Sequence, residues 1–394
     1  MKDRIQALAA SLHPEIVSVR RHLHAHPELS FEEYKTSEYI CNKLTEWQIP
    51  FSSGYVKTGI LGRIEGRKPS KRIIALRADM DALPIHESEH NCEYKSQNPG
   101  VMHACGHDVH SSSLLGAAKI LQNIRDEFEG TILLVFQPGE EKLPGGAKLM
   151  MDEGVFAEYK PELIIGQHVM PQYEAGQAGF RPGMYMASTD EIYITVKGTG
   201  GHGALPHLLA DPVLIASHLI VALQQIVSRN SAPEIPSVLS FGKFIANGAT
   251  NVIPNEVQIE GTFRTMHETW RAEAHQRMTL LAKSLCQSMG ADCEIEIRNG
   301  YPFLVNDPET TANARQSAAE YLGSESIIDM DLRMTGEDFA YFTQAYPATF
   351  YRLGVKRPGQ APFGGLHTPD FDIDEDALRH GMGLMAYIAW KAMQ

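Results

Sequence analysis

The chain has 394 residues, of which 43% are hydrophobic and 21% are charged, and its formal net charge is −13 at pH 7. This length exceeds one ordinary hydrophobic core and predicts two domains. The acidic charge argues against a nucleic-acid partner, because such binding draws its affinity from clustered lysine and arginine.

The sequence also argues against a membrane or exported protein. We expect no apolar stretch that approaches the length of a membrane-spanning helix, which is about 20 residues. Charged residues interrupt the N-terminal region, where a secretory signal would have a continuous apolar segment. The cysteines are odd in number and lack paired spacing, which predicts reduced thiols. They are Cys41, Cys92, Cys105, Cys286 and Cys293. We therefore expect a cytoplasmic protein without a membrane partner.

Apolar runs alternate with helical patterns in the first and last parts of the chain. The runs cover residues 73–76, 132–136, 163–165 and 349–353, and a helical pattern covers 113–124. Short, continuous apolar runs are typical of parallel strands that are buried on both faces. The sequence thus predicts an α/β fold with a mostly parallel, twisted sheet flanked by helices.

The middle of the chain has a different order of elements, which is strand, helix, strand, strand, helix, strand. The six elements are predicted at residues 191–196, 211–228, 237–244, 256–264, 268–289 and 292–298. The middle strands alternate apolar and polar residues, as in a sheet with one solvated face. We therefore expect a catalytic domain of residues 1–186 and 299–394, interrupted by a ferredoxin-like βαββαβ domain of residues 187–298.

Side chains that bind metals follow the predicted strands. An acid or an imidazole follows each of three strands, a cysteine and a histidine precede the helix, and a histidine follows the last strand. In chain order these residues are Asp79, Asp81, Cys105, His107, Glu140, Glu141, His168 and His367. Ligands bind beyond the carboxyl ends of the strands in open α/β sheets. Thiolate, imidazole and carboxylate are ligands for zinc, manganese or cobalt.

Each of these residues alone has an ordinary structural explanation. A single histidine after a strand is more often a hydrogen-bonded structural residue, a pair of glutamates is usually a solvated turn, and a free cysteine is usually a small buried hydrophobe. A solvated surface does not require all of these groups to meet at one sheet edge. Their convergence therefore favours a metal site.

The adjacent glutamates Glu140 and Glu141 indicate hydrolysis. Neighbouring side chains in extended backbone point in different directions, so Glu141 can bind a metal while Glu140 faces a coordinated water. A metal lowers the pKa of its water toward 7, and a nearby carboxylate can then act as general base. Asp81 can steady a metal-binding imidazole through its other ring nitrogen, although a turn or strand-end cap also explains it.

The chain resembles the M20 metallopeptidase family, in particular the amidohydrolase branch with hippurate hydrolases, N-acetyldiaminopimelate deacetylases and auxin-conjugate hydrolases. The similar segments are residues 21–30, 77–84, 102–107, 336–339 and His367. The resemblance implies a centre with two divalent metals, zinc or manganese, with cobalt or nickel also compatible. It implies Glu140 as base and Asp81 as the supporting acid. The implied metal ligands are Cys105, His107, Glu141, His168 and His367.

The resemblance also gives roles to the inserted domain. In relatives this domain mediates dimerisation, and the residue that matches His202 reaches the scissile carbonyl in the partner subunit. Asn251 and Arg264 match positions that hold the substrate's carboxylate or carbonyl oxygen. We therefore expect a homodimer that hydrolyses the amide bond of N-acyl amino acids or short peptides. A metallo-dipeptidase or carboxypeptidase of the same family is the alternative.

Three positions depart from the family pattern. Gly139 stands where many relatives carry Ala, and Thr335 precedes Gly336 where relatives often have Gly. Asp79 stands where the peptidase branches carry a metal-binding histidine, which weakens the carboxypeptidase alternative.

Two rivals come from other classes. The sequence Gly198-Thr199-Gly200-Gly201-His202-Gly203 fits the glycine pattern of dinucleotide-binding loops. No acidic strand end lies about 20 residues further on, and the order of the surrounding elements is wrong for that fold. A relative that binds metal without activity is the other rival, and the intact Glu140, Asp81 and His202 argue against it.

Overall fold

The computed structural model describes residues 1–69, 71–89 and 93–394, so Cys92, one of the cysteines assigned as a reduced thiol, lies outside the described residues. The helices are α1 (Lys2–Ala25), α2 (Tyr34–Glu46), α3 (His107–Asn123), α4 (Gly146–Asp152), α5 (Pro212–Leu223), α6 (Glu268–Ser288), α7 (Pro308–Leu322), α8 (Ala340–Ala345) and α9 (Asp376–Ala392). The strands are β1 (Phe51–Tyr55), β2 (Gly59–Glu65), β3 (Ile73–Asp79), β4 (Thr131–Gln137), β5 (Leu163–Glu174), β6 (Ala178–Phe180), β7 (Gly183–Met186), β8 (Asp190–Lys197), β9 (Gly201–His202), β10 (Ser237–Ile245), β11 (Val252–Ile253), β12 (Glu256–Thr265), β13 (Asp292–Asn299), β14 (Leu304–Asn306), β15 (Ile327–Asp329) and β16 (Ala348–Lys356).

The chain forms two compact units. The first consists of Met1–Tyr185, Val305–Asp331 and Asp338–Gln394, and the second of Met186–Leu304 and Leu332–Glu337. No sequence pattern indicated that the short segment Leu332–Glu337 belongs with the second unit. It does so because the backbone amide of Ala187 donates to the carbonyl of Arg333 at 3.1 Å. The functional division at residues 187–298 stays a prediction.

The first unit is built on an eight-stranded sheet with the order β1-β2-β4-β3-β5-β16-β6-β15. Its centre, from β4 through β3 and β5 to β16, is parallel. Antiparallel pairs join β1, β2 and β6 to the sheet, and the edge strand β15 pairs parallel with β6. Every residue of β4 is buried, which explains the continuous apolar run in its sequence. The predicted α/β fold with a mostly parallel sheet is confirmed.

Helices α1, α3 and α9 pack against one another, and α3 also contacts β3. Leu114 and Leu121 of α3 and Met382 of α9 are fully buried in the core beside the sheet. This packing fixes the first turn of α3, which begins at His107. It therefore sets the position of the side chains that the sequence analysis singled out near this helix.

The second unit contains an antiparallel sheet with the order β10-β12-β8-β13, and α5 and α6 pack on it. In β8 and β12, buried residues alternate with more exposed ones over most of their length. Ile194 and Val257 from the sheet meet Leu219 of α5 and Met278 of α6 in a separate apolar core. Each face of this sheet thus has its own environment, as the alternating sequence indicated.

One expectation about apolar stretches was wrong. The helical segment Pro212–Asn230, which is α5 with the turns that follow it, is among the described residues long and apolar enough to cross a membrane. Length and composition alone are weak evidence for a membrane span, because core helices of other proteins pass the same test. Ile215 and Leu219 of this segment are buried in the core of the second unit. Packing on a sheet therefore accounts for part of its apolar composition.

Candidate metal centre

The carboxyl ends of the central strands carry the predicted site residues. Asp79 is the last residue of β3, Glu140 and Glu141 follow β4, and His107 opens α3. His168 lies inside β5, which continues to Glu174 beyond the predicted run. The pairing of β5 with β3 ends at Gly166, so His168 still lies past the end of the neighbouring strand.

The structure brings the five predicted metal ligands together. Cys105 Sγ lies 3.4 Å from His168 Nε2 and 3.3 Å from His367 Nε2. Glu141 Oε1 lies 3.2 Å from His367 Nε2 and 3.9 Å from His107 Nε2. Four of the five are buried or nearly so, while the His367 side chain is 53% exposed. His367 therefore lies at the solvent side of the cluster.

The ligand atoms form two groups that share one thiol. Cys105, His107 and His168 make one group, and Cys105, Glu141 and His367 make the other, with all ligand atoms of a group within 4.8 Å of one another. A thiolate shared by both groups fits a pair of divalent metals, each with additional imidazole or carboxylate donors.

Hydrogen bonds orient the two buried imidazoles. His107 Nδ1 lies 3.1 Å from Asp81 Oδ1, and His168 Nδ1 lies 2.8 Å from the carbonyl oxygen of Val169. Each Nδ1 must donate, since both partners are acceptors. In the neutral rings Nε2 then carries the lone pair and faces the other ligands, which is the usual arrangement for a metal-binding histidine.

Unsatisfied buried atoms support metal binding. Among the described residues, His107 Nε2 and Glu141 Oε1 are buried and make no hydrogen bond. Burying such groups without a partner costs free energy. A divalent cation in each of the two ligand groups would satisfy these atoms, so the donor set fits the metals that the family resemblance implies.

The electrostatics of the cluster also favour a cation. Burial and the carboxylates of Glu141 and Glu140 raise the pKa of the Cys105 thiol well above its usual range. Burial opposes protonation of His107, but Asp79 and Asp81 outweigh it and raise its pKa to about 10. The nearby carboxylates that retain the protons of Cys105 and His107 would also attract a metal cation. Metal binding then has to displace these protons.

Asp81 connects several parts of the site. Its Oδ1 accepts from His107, while its Oδ2 accepts from the Ser30 hydroxyl at 2.6 Å and from the Glu141 backbone amide at 2.9 Å. Burial opposes ionisation of Asp81, but these hydrogen bonds, first that of His107, lower its pKa. Asp81 thus lies where a supporting acid was predicted, between His107 and the backbone of Glu141.

Asp79 has other partners. Its Oδ1 lies 2.6 Å from His110 Nδ1, and its Oδ2 lies 2.6 Å from Arg77 Nη1. His110 Nε2 accepts from the Val169 amide at 2.9 Å, so both nitrogens of His110 are already used. Although His107, His110 and Asp79 are close enough to hold an ion, these bonds make Asp79 and His110 supports of the site.

Sequence reasoning missed Arg77, His110 and Asp338, although the sequence carries a signal for two of them. Arg77 and Asp79 are two residues apart on a strand and so share a face, and His107 and His110 are three apart on a helix. Asp338 accepts from Arg77 Nη2 at 2.8 Å from 261 positions further along the chain. No local pattern indicates that contact.

Glu140 is buried and accepts from the backbone amide of Asp338 at 3.3 Å. A carboxylate oxygen of Glu140 lies within 4.8 Å of ligand atoms of His107 and Glu141. The two adjacent glutamates therefore use different partners, and Glu140 remains beside the cluster as a candidate base.

The other predicted residues lie in the second unit. His202, which is exposed, pairs with Val252 through the short strands β9 and β11, and the amide of Gly203 donates to the carbonyl of Asn251 at 2.9 Å. His202 and Asn251 are thus close in the backbone. Arg264 is on β12, where its Nε donates to Thr262 Oγ1 at 3.1 Å.

The α/β fold and the cluster of thiol, imidazole and carboxylate donors define a metal-dependent hydrolase of amide bonds. The model of peptidase family M20/M25/M40 matches residues 75–391. The chain belongs to this family, and both the predicted resemblance and the predicted enzyme class are confirmed.

Individual relatives cover most of the chain. An N-acyl-L-amino acid amidohydrolase of Geobacillus stearothermophilus is 42% identical over 78% of this chain and 82% of its own length. Thermostable carboxypeptidase 2 of Saccharolobus solfataricus is 36% identical over 95% of both chains. The crystal structure of the YXEP protein of Bacillus subtilis, described as a dinuclear metal binding peptidase of the M20 family, has a TM-score of 0.82 and 32% identity, covering 98% of this chain and 99% of that one.

Proposed function

We propose that this protein hydrolyses the amide bond of N-acyl amino acids, such as N-acetyl or N-benzoyl amino acids, with two divalent metals. The observation that carries the proposal is the arrangement of Glu141 among the ligand groups with Glu140 beside them. Zinc or manganese is the expected metal, and cobalt or nickel also suits these donors. The similarity to an N-acyl-L-amino acid amidohydrolase supports the substrate class.

The chain's own residues supply the proton transfers. When bound, the metals would polarise the substrate carbonyl and lower the pKa of a water molecule. Glu140 takes a proton from the attacking water as the new carbon–oxygen bond forms, and it returns that proton to the nitrogen as the carbon–nitrogen bond breaks. Asp81 keeps the ring of His107 oriented throughout.

Residues of the second unit would bind the substrate. Arg264 offers a planar guanidinium for the substrate's carboxylate, and Asn251 offers an amide for a carboxylate or carbonyl oxygen. His202 would stabilise negative charge on the carbonyl oxygen in the transition state. The resemblance to the amidohydrolase branch supports these roles.

A carboxypeptidase or dipeptidase is the second candidate, because a carboxypeptidase of Saccharolobus solfataricus is similar over 95% of the chain. The engagement of Asp79 by Arg77 and His110 does not leave Asp79 as a ligand, which favours the amidohydrolase. The two candidates differ in whether the substrate's amino end is acylated or free.

A substrate panel tests the choice. We expect kcat/KM for N-acetyl and N-benzoyl amino acids to exceed that for dipeptides with the same C-terminal residue and a free amino group. The comparison uses metal-loaded protein and matched side chains. A preference for the free dipeptides would favour the peptidase, and no hydrolysis of either series would contradict both.

We propose a cytoplasmic homodimer that forms through the second unit. Apolar side chains on its surface support this, because Leu214 and Val221 of α5 are 51% and 73% exposed and Phe244 of β10 is 40% exposed. Exposed apolar patches often mark protein interfaces. In this arrangement His202 of the partner subunit would reach the scissile carbonyl of the substrate at each metal centre.

Mixing two inactive variants tests the action of His202 across the dimer. His202→Ala lacks the substrate-stabilising imidazole, and Glu140→Gln lacks the base. After subunit exchange, about a quarter of all sites should contain both intact residues under random pairing, so activity should reappear. Mass spectrometry confirms the exchange. Activity that stays at the level of the separate variants despite confirmed exchange would contradict this role.

A further inference from the structure

The turn between α1 and α2 has entered the site so far only through the Ser30 hydroxyl, which donates to Asp81. The segment 29–33, which carries part of the family resemblance, lies beside the metal centre, because Leu29 pairs with Ala82 and the amide of Ala82 donates to the carbonyl of Glu28 at 2.8 Å. Two side chains of this turn, Ser30 and Glu33, reach different parts of the site.

Glu33 is fully buried and its carboxylate accepts three hydrogen bonds. Oε1 accepts from the amides of Phe31 and Gly139, both at 2.8 Å. Oε2 accepts from the hydroxyl of Thr58 at 2.8 Å. Burial, together with the charge of Asp81, raises the pKa of Glu33 to about 7. Burying a carboxylate is costly, and the three hydrogen-bond donors offset part of that cost. The same three hydrogen bonds fix the position of the carboxylate relative to its neighbours.

The Gly139 amide is the contact closest to the chemistry. Gly139 directly precedes Glu140 and Glu141 and has a φ of 60°, which glycine favours. Glu33 holds its amide, and the amide of Gly146 holds its carbonyl at 3.0 Å. Hydrogen bonds therefore hold both the backbone N–H and the backbone C=O of Gly139, where the chain turns toward the two glutamates.

The same turn also supports the other end of the glutamate pair. Ser30 donates to Asp81 Oδ2 at 2.6 Å, and that oxygen accepts from the Glu141 amide at 2.9 Å. The turn thus holds the backbone on both sides of Glu140, through Gly139 before it and through Asp81 and Glu141 after it.

We propose that Glu33 is a positioning residue that sets the direction of Glu140 and Glu141 by holding the Gly139 amide, an inference that rests on the proposed function. Among the described residues, Glu33 belongs to none of the groups that could hold a metal ion. Its loss would allow the turn at Gly139 to relax. Small displacements of a catalytic group cost up to about 100-fold in rate, and loss of a partner outside the ligand shell costs about 10–100-fold in metal affinity or activity.

Glu33→Ala and Glu33→Gln separate hydrogen bonding from other contributions. A glutamine oxygen can accept from the Phe31 and Gly139 amides, while its NH2 group donates to the Thr58 hydroxyl, which can accept. Glu33→Gln should therefore preserve the turn, and Glu33→Ala should not. Glu33→Met has a side chain of similar length but offers no oxygen to the Gly139 amide. Glu32→Ala is the matched control, because Glu32 is the exposed neighbour in the same turn.

Two measurements are made on each variant. The first gives kcat and KM with an N-acyl amino acid, and the second is a titration with cobalt that follows each binding event. For Glu33→Ala we expect kcat to fall about 10–100-fold with KM within about threefold, and one cobalt-binding event to weaken about 10-fold. Glu33→Gln and Glu32→Ala should stay within about threefold of the wild type in both measurements.

Several outcomes would overturn the proposal. They are a Glu33→Ala protein with kcat and cobalt affinity near the wild-type values, a loss of rate that only follows the folded fraction, or a Glu33→Gln protein as impaired as Glu33→Ala. If Glu33→Ala does not fold, Glu33→Met replaces it in the comparison with Glu33→Gln, because methionine fills the buried space but leaves the Gly139 amide without an oxygen acceptor. If the wild type hydrolyses no N-acyl amino acid, the proposed function fails, while the cobalt titration still decides the role of Glu33.

Discussion

Glu140→Gln is expected to retain both metals and to lose at least about 100-fold in kcat, the usual size of a general-base contribution. Glu140 belongs to neither of the two ligand groups around Cys105, so metal content should not change. Glutamine has nearly the same shape but cannot take a proton at neutral pH. Metal analysis and steady-state kinetics on the same preparation test both parts of this expectation.

Glu141→Gln is the matched control for this variant. Glu141 Oε1 lies 3.2 Å from His367 Nε2 and is buried without a hydrogen bond among the described residues. Its replacement should lower metal content, whereas Glu140→Gln should not. A Glu140→Gln protein that keeps its metals and most of its rate would remove Glu140 from the mechanism.

Arg77→Met is expected to lower the free energy of unfolding by about 3–5 kcal/mol, because it leaves buried carboxylates without their cation. The Arg77 side chain is fully buried between Asp79, at 2.6 Å, and Asp338, at 2.8 Å. Urea denaturation of the metal-free protein measures the change. Arg4→Met is the control, since the Arg4–Glu127 pair is about half exposed and such pairs contribute about 0–1 kcal/mol.

The same ion pair predicts a pH dependence. Burial raises the pKa of Asp79, but Arg77 and two histidines outweigh it and hold this pKa well below its usual range. Such a group stabilises the fold above its unfolded pKa of about 3.9, and this contribution is lost as the pH falls below that value. If Arg77→Met lowers the free energy of unfolding no more than Arg4→Met does, the expected contribution of the Arg77 ion pairs is contradicted.

The strand pattern alone predicted that metal-binding side chains would converge at one sheet edge, and the family resemblance then assigned their roles. In a parallel sheet the carboxyl ends of neighbouring strands meet at one edge, so acids after β3 and β4 have to lie close together. His107 needed the family resemblance as well, because residues 80–106 separate β3 from the helix that it opens. For the acids that follow β3 and β4, the local pattern and the sheet topology together determine the location.

Other parts of the site depend on contacts that no local pattern contains. The sequence did not distinguish the surroundings of Asp79 from those of Asp81, because the distinction comes from Arg77 on one side and His107 on the other. The contact of Glu33 with Gly139 joins residues 106 positions apart. Such contacts follow from how loops pack, which periodicity and strand order do not specify.

Metal dependence is the central claim, and one titration tests it most directly. Protein stripped with a chelator is titrated with manganese, zinc or cobalt while the hydrolysis of an N-acyl amino acid is followed. The account predicts negligible hydrolysis in the stripped protein and full activity once two equivalents of metal per chain are bound. Stripped, metal-free protein that hydrolyses the substrate at the original rate would contradict it.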